Sequence, residues 1–136
     1  MPADSSNRQT LVEATIQARL RAYAPYSKFF VGAALLHSSG EIITGANVEN
    51  ASYGLTICPE RAATFTAVAK GLTDFEAIAI CVEGAGAPGG ACRQVLHEFA
   101  PNLVVLMTDP TGELIRETTL DQLLPDSFGP ENLTTS

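Results

Sequence analysis

Two short cysteine motifs constrain the fold of this chain more than any other feature. The first is Cys58–Arg61 (CPER) and the second is Pro88–Cys92 (PGGAC). Pro59 suits the first position of a helix, because its missing N–H would have no partner there. Each cysteine is therefore predicted at a helix start, where the helix dipole and unpaired N–H groups stabilise a thiolate and favour metal binding. The two cysteines are either ligands of one metal ion or a pair of buried small side chains.

Apolar periodicity and turn residues predict the elements around these motifs. The elements are a helix over 10–23, a hairpin of strands over 29–36 and 41–48, a helix over 59–70, a strand over 75–82, a helix over 92–99, and strands over 103–108 and 114–117. This order predicts an α/β fold, a three-layer α/β/α sandwich around a mixed five-stranded sheet. The length fits a single domain over residues 1–136, with frayed ends at about 1–9 and 132–136.

Composition narrows the classes of function. The 8 basic residues are scattered and the formal net charge is −7, so the chain has no basic stripe for a nucleic acid backbone. It contains no apolar run of about 18 residues, and its first ten residues are polar, so we expect neither a membrane span nor a signal peptide. Three cysteines suit ligands or small core residues better than a disulfide framework. We therefore expect a cytoplasmic protein with a small-molecule partner.

Further segments carry a resemblance to a known family. They are, in chain order, Tyr26–Phe29, Val31–Ala34, Asn47–Gly54, Cys92–Leu96, Leu123–Pro125 and Ser127–Pro130. Together with the cysteine motifs they resemble the small cytidine deaminases, from about residue 23 to the C-terminus. The resemblance implies a deaminase-like fold and a zinc enzyme of pyrimidine salvage. It would hydrolyse cytidine or deoxycytidine to the uridine analogue and ammonia, as a homotetramer with shared active sites.

The resemblance also implies the residues of the metal site. Cys58 and Cys92 are zinc ligands, with one zinc ion expected per chain. Glu60 carries protons from the activated water to the pyrimidine ring and then to the departing ammonia. Arg61 offsets the negative charge of the thiolates. The alternative for Glu60 is a carboxylate that only stabilises the start of its helix.

Other matching positions imply a nucleoside pocket. Asn47 and Glu49 are two residues apart in an extended segment, so their side chains share a face, and the family uses these positions to hold the ribose. By the same resemblance, Phe29 lines the pocket and Ala51 offers backbone groups to the base. Tyr53 and Phe128 match residues that reach a neighbouring subunit's site, and ordinary packing is the alternative for both.

Gly89 departs from the family pattern, which has a cysteine ligand at this place. Two of three expected protein ligands remain, so we expect weaker zinc binding. Water or Cys81 are the candidates for the open position. His97 would point about 140° away from Cys92 around the helix, and His37 lies beside the hairpin turn, so neither histidine is expected to replace the ligand.

Two alternative functions remain open. One is an impaired nucleoside-binding homologue with little zinc, and the other is a deaminase of another aminopyrimidine nucleoside.

Overall fold

A mixed sheet of five strands forms the centre of the molecule. The computed structural model describes residues 5–133, without the side chains of Ser5 and Ser6. The helices are α1 (Ser5–Arg19), α2 (Pro59–Ala69), α3 (Gly90–Phe99) and α4 (Leu120–Leu123), and the strands are β1 (Gly32–His37), β2 (Ile42–Ala46), β3 (Phe75–Cys81), β4 (Val104–Thr108) and β5 (Leu114–Thr119). The strand order is β2-β1-β3-β4-β5, with β3 and β4 parallel and the other neighbouring pairs antiparallel. This confirms the predicted α/β class and mixed sheet.

The helices cover both faces of the sheet. Alternate residues of β3 belong to different cores: Ala77 and Ala79 pack with Leu11 of α1, whereas Ile78 and Ile80 pack with residues of α2 and α3. Successive side chains of a strand point to opposite faces, so α1 lies on one face and α2 and α3 lie on the other. Within residues 5–133, no helix is long and apolar enough to cross a membrane.

Two glycines let helices pack closely against the sheet. A Cβ on Gly32 of β1 would lie 2.3 Å from the carbonyl oxygen of Thr15 and 2.5 Å from the backbone nitrogen of Arg19. A Cβ on Gly45 of β2 would lie 2.4 Å from the carbonyl oxygen of Pro59 and 2.6 Å from the backbone nitrogen of Ala63. These contacts involve backbone, which cannot rotate away. The two glycines therefore fix where α1 and the first turns of α2 rest.

Several element boundaries differ from the predictions. α1 spans Ser5–Arg19 instead of 10–23, so helical structure begins inside the segment 1–9 that was predicted to be frayed. At the other predicted frayed end, Asn132 closes a short 3-10 helix (Pro130–Asn132), and residues 1–4 and 134–136 lie outside the described range. α1 ends early because the next segment pairs with another part of the chain. The Tyr23 N–H donates to the Asn47 carbonyl, and the Glu49 N–H donates to the Tyr23 carbonyl. α4 was not predicted, and β5 continues to Thr119.

The close approach at Gly32 gives a stability prediction. Gly32→Ala should lower the free energy of unfolding by about 1 to 3 kcal/mol or more, because the added methyl group overlaps the backbone of α1. Gly54→Ala is the matched control, because nothing lies within 4 Å of a Cβ at that position. Urea denaturation followed by circular dichroism measures both. Equal stabilities of the two variants would contradict the close packing of α1.

Candidate active site and metal centre

The starts of α2 and α3 meet beside a cavity of about 500 Å³. Cys58 is the residue that caps the start of α2, as predicted. α3 begins two residues before Cys92, which therefore lies in the first turn rather than at the cap. The cavity is lined by Phe29, Val31, Asn47, Thr56, Ile57, Cys58, Pro59, Glu60, Arg61, Ile80, Val82, Gly86, Ala87, Gly89, Gly90, Ala91 and Cys92. Its volume is in the range of small-ligand sites.

The two predicted cysteines lie together. Their sulfur atoms are in direct contact, and Cys92 is buried. Their Cα atoms are 7.5 Å apart, which is wider than the usual separation of disulfide-bonded cysteines. The Arg61 Nε–H donates to the Cys58 sulfur at 3.2 Å, so a positive charge accompanies the pair. The backbone spacing and the cationic neighbour fit two thiolates that share a metal ion.

Glu60 completes a group of three possible metal-binding side chains. A carboxylate oxygen of Glu60 and the sulfur atoms of Cys58 and Cys92 all lie within 4.8 Å of one another. Glu60 is only 4% exposed. Burial raises the pKa of its carboxyl group, and its own backbone N–H and the charge of Arg61 partly oppose this rise. Thiolate and carboxylate groups are among the ligands that zinc accepts, so the residues present fit a zinc ion.

Gly89 borders this group without contributing a side chain. It caps the start of α3 and lines the cavity. A Cβ at this position would find no other atom within 4 Å. A larger residue therefore has room here, and no neighbouring side chain of the described residues occupies the space next to the Gly89 Cα.

Neither Cys81 nor the two histidines lie with the cysteine pair. Ile80 and Val82 line the cavity, so strand alternation directs Cys81 to the α1 face of the sheet. Burial raises the pKa of the Cys81 thiol, and Arg19 of α1 opposes the rise. His97 Nε2 lies 2.6 Å from the Ser127 hydroxyl, and His37 Nδ1 lies 2.9 Å from that of Ser39. Cys81 as a replacement ligand was therefore a wrong alternative.

Asn47 lines the cavity, but its side chain is already committed to the backbone. Its Oδ1 accepts from the Val31 N–H at 2.9 Å, and its Nδ2 donates to the Phe29 carbonyl at 2.8 Å. The residue is buried. Asn47 thus holds the segment that carries Phe29, a second role that the sequence pattern did not indicate.

Glu49 faces a neighbouring surface concavity with Tyr26, Ser27, Tyr53 and Thr56. Its carboxylate accepts from the backbone N–H groups of Tyr26 and Ser27 and from the Ser27 hydroxyl. The Ser27 hydroxyl is the main cause that lowers the pKa of this exposed carboxyl group. Thr56 lines both concavities, so Asn47 and Glu49 border adjoining spaces. The shared ribose contact stays a prediction.

The remaining predicted residues are exposed. Phe29 lines the cavity at 55% exposure. Ala51 lies outside the cavity lining. Tyr53 is 72% exposed and Phe128 is 55% exposed, which argues against ordinary core packing for both within one chain. The cavity of the same chain is not lined by Ala51, Tyr53 or Phe128.

Sequence reasoning missed the residues that attach the C-terminal segment to α3. Arg93 donates to the carbonyl oxygens of Pro88 and Leu123, and Gln94 donates to the carbonyl of Phe128 at 2.8 Å. His97 bonds to Ser127 in the same segment. The helix that carries Cys92 therefore also fixes the backbone next to Phe128. Arg93, Gln94 and Ser127 lie in two segments that carry the family resemblance, but nothing in the sequence paired the two segments with each other.

The sequence matches the family model described as cytidine and deoxycytidylate deaminase zinc-binding region over residues 5–108. The chain belongs to this family. The family is named for its zinc-binding region, and the group of Cys58, Glu60 and Cys92 is the one candidate metal group among residues 5–133.

Individual deaminases are similar to this chain over nearly its whole length. A cytidine deaminase of Halalkalibacterium halodurans is 48% identical over 93% of this chain and 98% of the relative. The crystal structure of cytidine deaminase from Burkholderia pseudomallei has a TM-score of 0.83 and 51% identity, covering 88% of this chain and 97% of that chain. The crystal structure of cytidine deaminase from Mycobacterium tuberculosis has a TM-score of 0.78 and 39% identity, covering 90% and 97%. The five-stranded fold is therefore that of the deaminases.

The double hydrogen bond of the Asn47 side chain gives a second prediction. Asn47→Ala should lower the free energy of unfolding by about 1 to 3 kcal/mol, because backbone groups of Phe29 and Val31 lose their partner. Asn102→Ala is the matched control at an exposed turn and should change stability by less than about 0.5 kcal/mol. Chemical denaturation compares the two variants. Equal effects would show that the Asn47 amide does not hold this segment.

Proposed function

We propose that this protein is a cytidine deaminase that hydrolyses cytidine or deoxycytidine to uridine or deoxyuridine and releases ammonia, in pyrimidine salvage. The observation that carries the proposal is the buried Glu60 carboxylate beside two cysteines at helix starts, inside a cavity of nucleoside size. The named deaminases at 48% and 51% identity support it. The proposed role of each site residue follows from the chemistry of this deamination.

Cys58 and Cys92 hold the zinc ion in this proposal. When bound, zinc lowers the pKa of a water molecule and so supplies a nucleophile near neutral pH. Two thiolates carry two negative charges in a partly buried place. The Arg61 guanidinium, 3.2 Å from the Cys58 sulfur, offsets part of that charge and keeps the thiolate oriented.

Glu60 moves the protons of the reaction. Deamination requires a proton at the pyrimidine ring nitrogen and another at the departing amine, and both can pass through one carboxylate near C4. Burial raises the pKa of Glu60 and so makes its protonated form more accessible near neutral pH. The low exposure of Glu60 also keeps bulk water from competing for these protons.

Asn47 and Glu49 bind the ribose, and Phe29 and Ala51 contact the base. Asn47 and Phe29 border the cavity with Glu60, which supports their part of the assignment, and the Asn47 amide has a second N–H besides the one donated to the Phe29 carbonyl. Glu49 borders the adjoining concavity, where its carboxylate accepts from the Ser27 hydroxyl and keeps a further lone pair for a sugar hydroxyl. The ribose contacts favour nucleosides over free cytosine. The acidic surface, with a formal net charge of −7, disfavours oligonucleotides.

Shared sites explain the exposed aromatic residues. Tyr53 and Phe128 are exposed and lie outside the cavity of their own chain, as expected of side chains that contact a neighbouring subunit. The hydrogen bonds from α3 hold the Phe128 backbone in place. We infer a homotetramer in which Phe128 completes another chain's pocket. A cytoplasmic location follows from the thiolate ligands, which stay reduced there.

Gly89 favours one alternative function. With one thiolate fewer than the family pattern, the protein would bind nucleosides while retaining little zinc and little turnover. Retention of Glu60 and of both remaining cysteines in one group favours the enzyme instead. Turnover together with zinc content decides between these two functions.

Loss of the proton carrier gives the test of function. Glu60→Gln should lower the rate of ammonia release from cytidine by about 10²- to 10⁴-fold, the usual contribution of general acid–base catalysis. Nucleoside binding and the unfolding transition should be retained, since the amide is isosteric with the carboxylic acid. Steady-state kinetics, calorimetric titration with uridine and circular dichroism measure the three quantities.

The control for this test is Glu98→Gln, the same substitution at an exposed position of α3. It should leave turnover within about twofold of the unaltered protein, in keeping with the small effects of surface substitutions. Undiminished ammonia release by Glu60→Gln would reject Glu60 as the proton carrier. Release from free cytosine as fast as from cytidine would reject the ribose contacts.

The proposed assembly gives a further prediction for Phe128. Phe128→Ala should raise the KM for cytidine by roughly two- to tenfold, the value of one lost aromatic contact. It should also shift the oligomer toward smaller species at low concentration in analytical ultracentrifugation. Ile115→Ala, an exposed apolar residue on the edge strand β5, is the control. A fully active monomer of the unaltered protein would contradict shared sites.

A further inference from the structure

Gly89 raises the question of which protein atom serves as the third zinc ligand. The space next to Gly89 is open. Cys81 points to the opposite face of the sheet, and His97 is bonded to the C-terminal segment. Within residues 5–133, the one further candidate ligand grouped with the two cysteine sulfurs is the Glu60 carboxylate. We propose that Glu60 is the third protein ligand of the resting zinc site and takes the place of the cysteine that Gly89 replaces.

The distances in the group suit this assignment. All three ligand atoms lie within 4.8 Å of one another. Tetrahedral zinc with bonds of about 2.3 Å to sulfur and about 2.0 to 2.2 Å to oxygen requires ligand atoms roughly 3.6 to 3.8 Å apart. The two sulfur atoms, which are in contact, must therefore move apart, and the carboxylate must move by about 1 Å at most. Cys and Glu side chains have the rotamer freedom for both movements.

The burial of Glu60 points the same way. Its side chain is only 4% exposed, and the neighbouring Arg61 already donates its Nε–H to the Cys58 sulfur. A buried carboxylate needs a cation or several hydrogen bonds to remain charged. A zinc ion with only two thiolates carries no net charge, whereas a third anionic ligand restores the charge of a three-thiolate site. Contact with the metal would thus stabilise the charge of the buried carboxylate, and the carboxylate would restore the negative charge of the zinc site.

A ligand role has a consequence for the proposed proton transfer. A carboxylate bound to the metal is not free to accept or donate protons, so Glu60 must leave the metal for each turnover. In the family pattern a third cysteine makes this exchange unnecessary. Gly89→Cys should therefore release Glu60 from the metal and leave it available for proton transfer throughout the cycle.

The test is a cycle of four proteins: the unaltered chain, Glu60→Gln, Gly89→Cys and the double variant. Zinc affinity is measured by competition with a chromophoric chelator, without any substrate. Loss of a ligand should cost at least what loss of a ligand's hydrogen-bonded partner costs, about 10- to 100-fold. We expect Glu60→Gln to lower zinc affinity by more than tenfold in the Gly89 background and by less than about threefold in the Gly89→Cys background.

The cycle separates ligation from long-range charge. If Glu60 acts on zinc only through its charge, Glu60→Gln weakens binding equally in both backgrounds, and the proposal is overturned. No weakening in either background means that water completes the site, which also overturns it. Gly89→Ala controls for the added Cβ, which the open space accommodates, and should leave zinc affinity unchanged.

Cobalt(II) spectra provide a measurement that does not require Gly89→Cys to fold. Replacing one carboxylate ligand changes the geometry and the visible absorption of a cobalt site, so the unaltered protein and Glu60→Gln should differ, while Glu98→Gln should match the unaltered protein. Identical cobalt spectra of all three proteins would overturn the proposal.

The inference rests on the proposed zinc site at Cys58 and Cys92, and its failure is distinguishable from failure of the proposed function. If Glu60→Gln weakens zinc binding only in the Gly89 background but no nucleoside releases ammonia, Glu60 is a zinc ligand and the proposed enzyme activity is rejected. If ammonia is released but Glu60→Gln has the same effect on zinc affinity in both backgrounds, the enzyme activity stands and Glu60 is rejected as a ligand.

Discussion

The docking of the first turns of α2 onto strand β2 is the constraint on which the site depends. Gly45 permits it, because a side chain there would overlap the backbone of Pro59 and Ala63. This contact fixes Cys58 at the helix cap and Glu60 in the first turn of α2, where the carboxylate is buried. Cys92 joins Cys58 and Glu60 because α3 begins on the same face of the sheet as α2. One close backbone approach therefore places most of the metal-binding group.

Burial and charge oppose each other throughout this group. Two cysteines and a carboxylate bring as many as three negative charges into a place with little solvent, and the nearby Arg61 balances only part of them. A divalent cation resolves the conflict, which is the physical reason that a family with this arrangement is a zinc-binding one. Gly89, at the start of α3, adds no side chain and no charge to this group.

α3 serves the site in two ways. Its first turn carries Cys92, and the polar side chains of Arg93, Gln94 and His97 hold the C-terminal segment next to Phe128. The exposed Phe128 is thus attached to the same helix that carries Cys92 of the candidate metal group. In an assembly with shared pockets, this attachment would transmit the position of one chain's α3 to the substrate in a neighbouring chain.

The sequence by itself determined the class of fold and the order of the five strands and three longer helices, through strand and helix periodicity, turn residues and a proline at a helix start. It placed Cys58, Glu60 and Cys92 in one site only through the resemblance of the cysteine motifs to the deaminases. Only the tertiary structure decided that Cys81 faces away from the metal group, because the face of a residue depends on how its strand lies between two helix layers. Only it showed that Asn47 supports the Phe29 segment and that the Glu49 carboxylate is held by the loop at Ser27. It also ended α1 at Arg19, since the pairing of Tyr23 with Asn47 and Glu49 joins residues too distant in the chain for any local pattern to reveal.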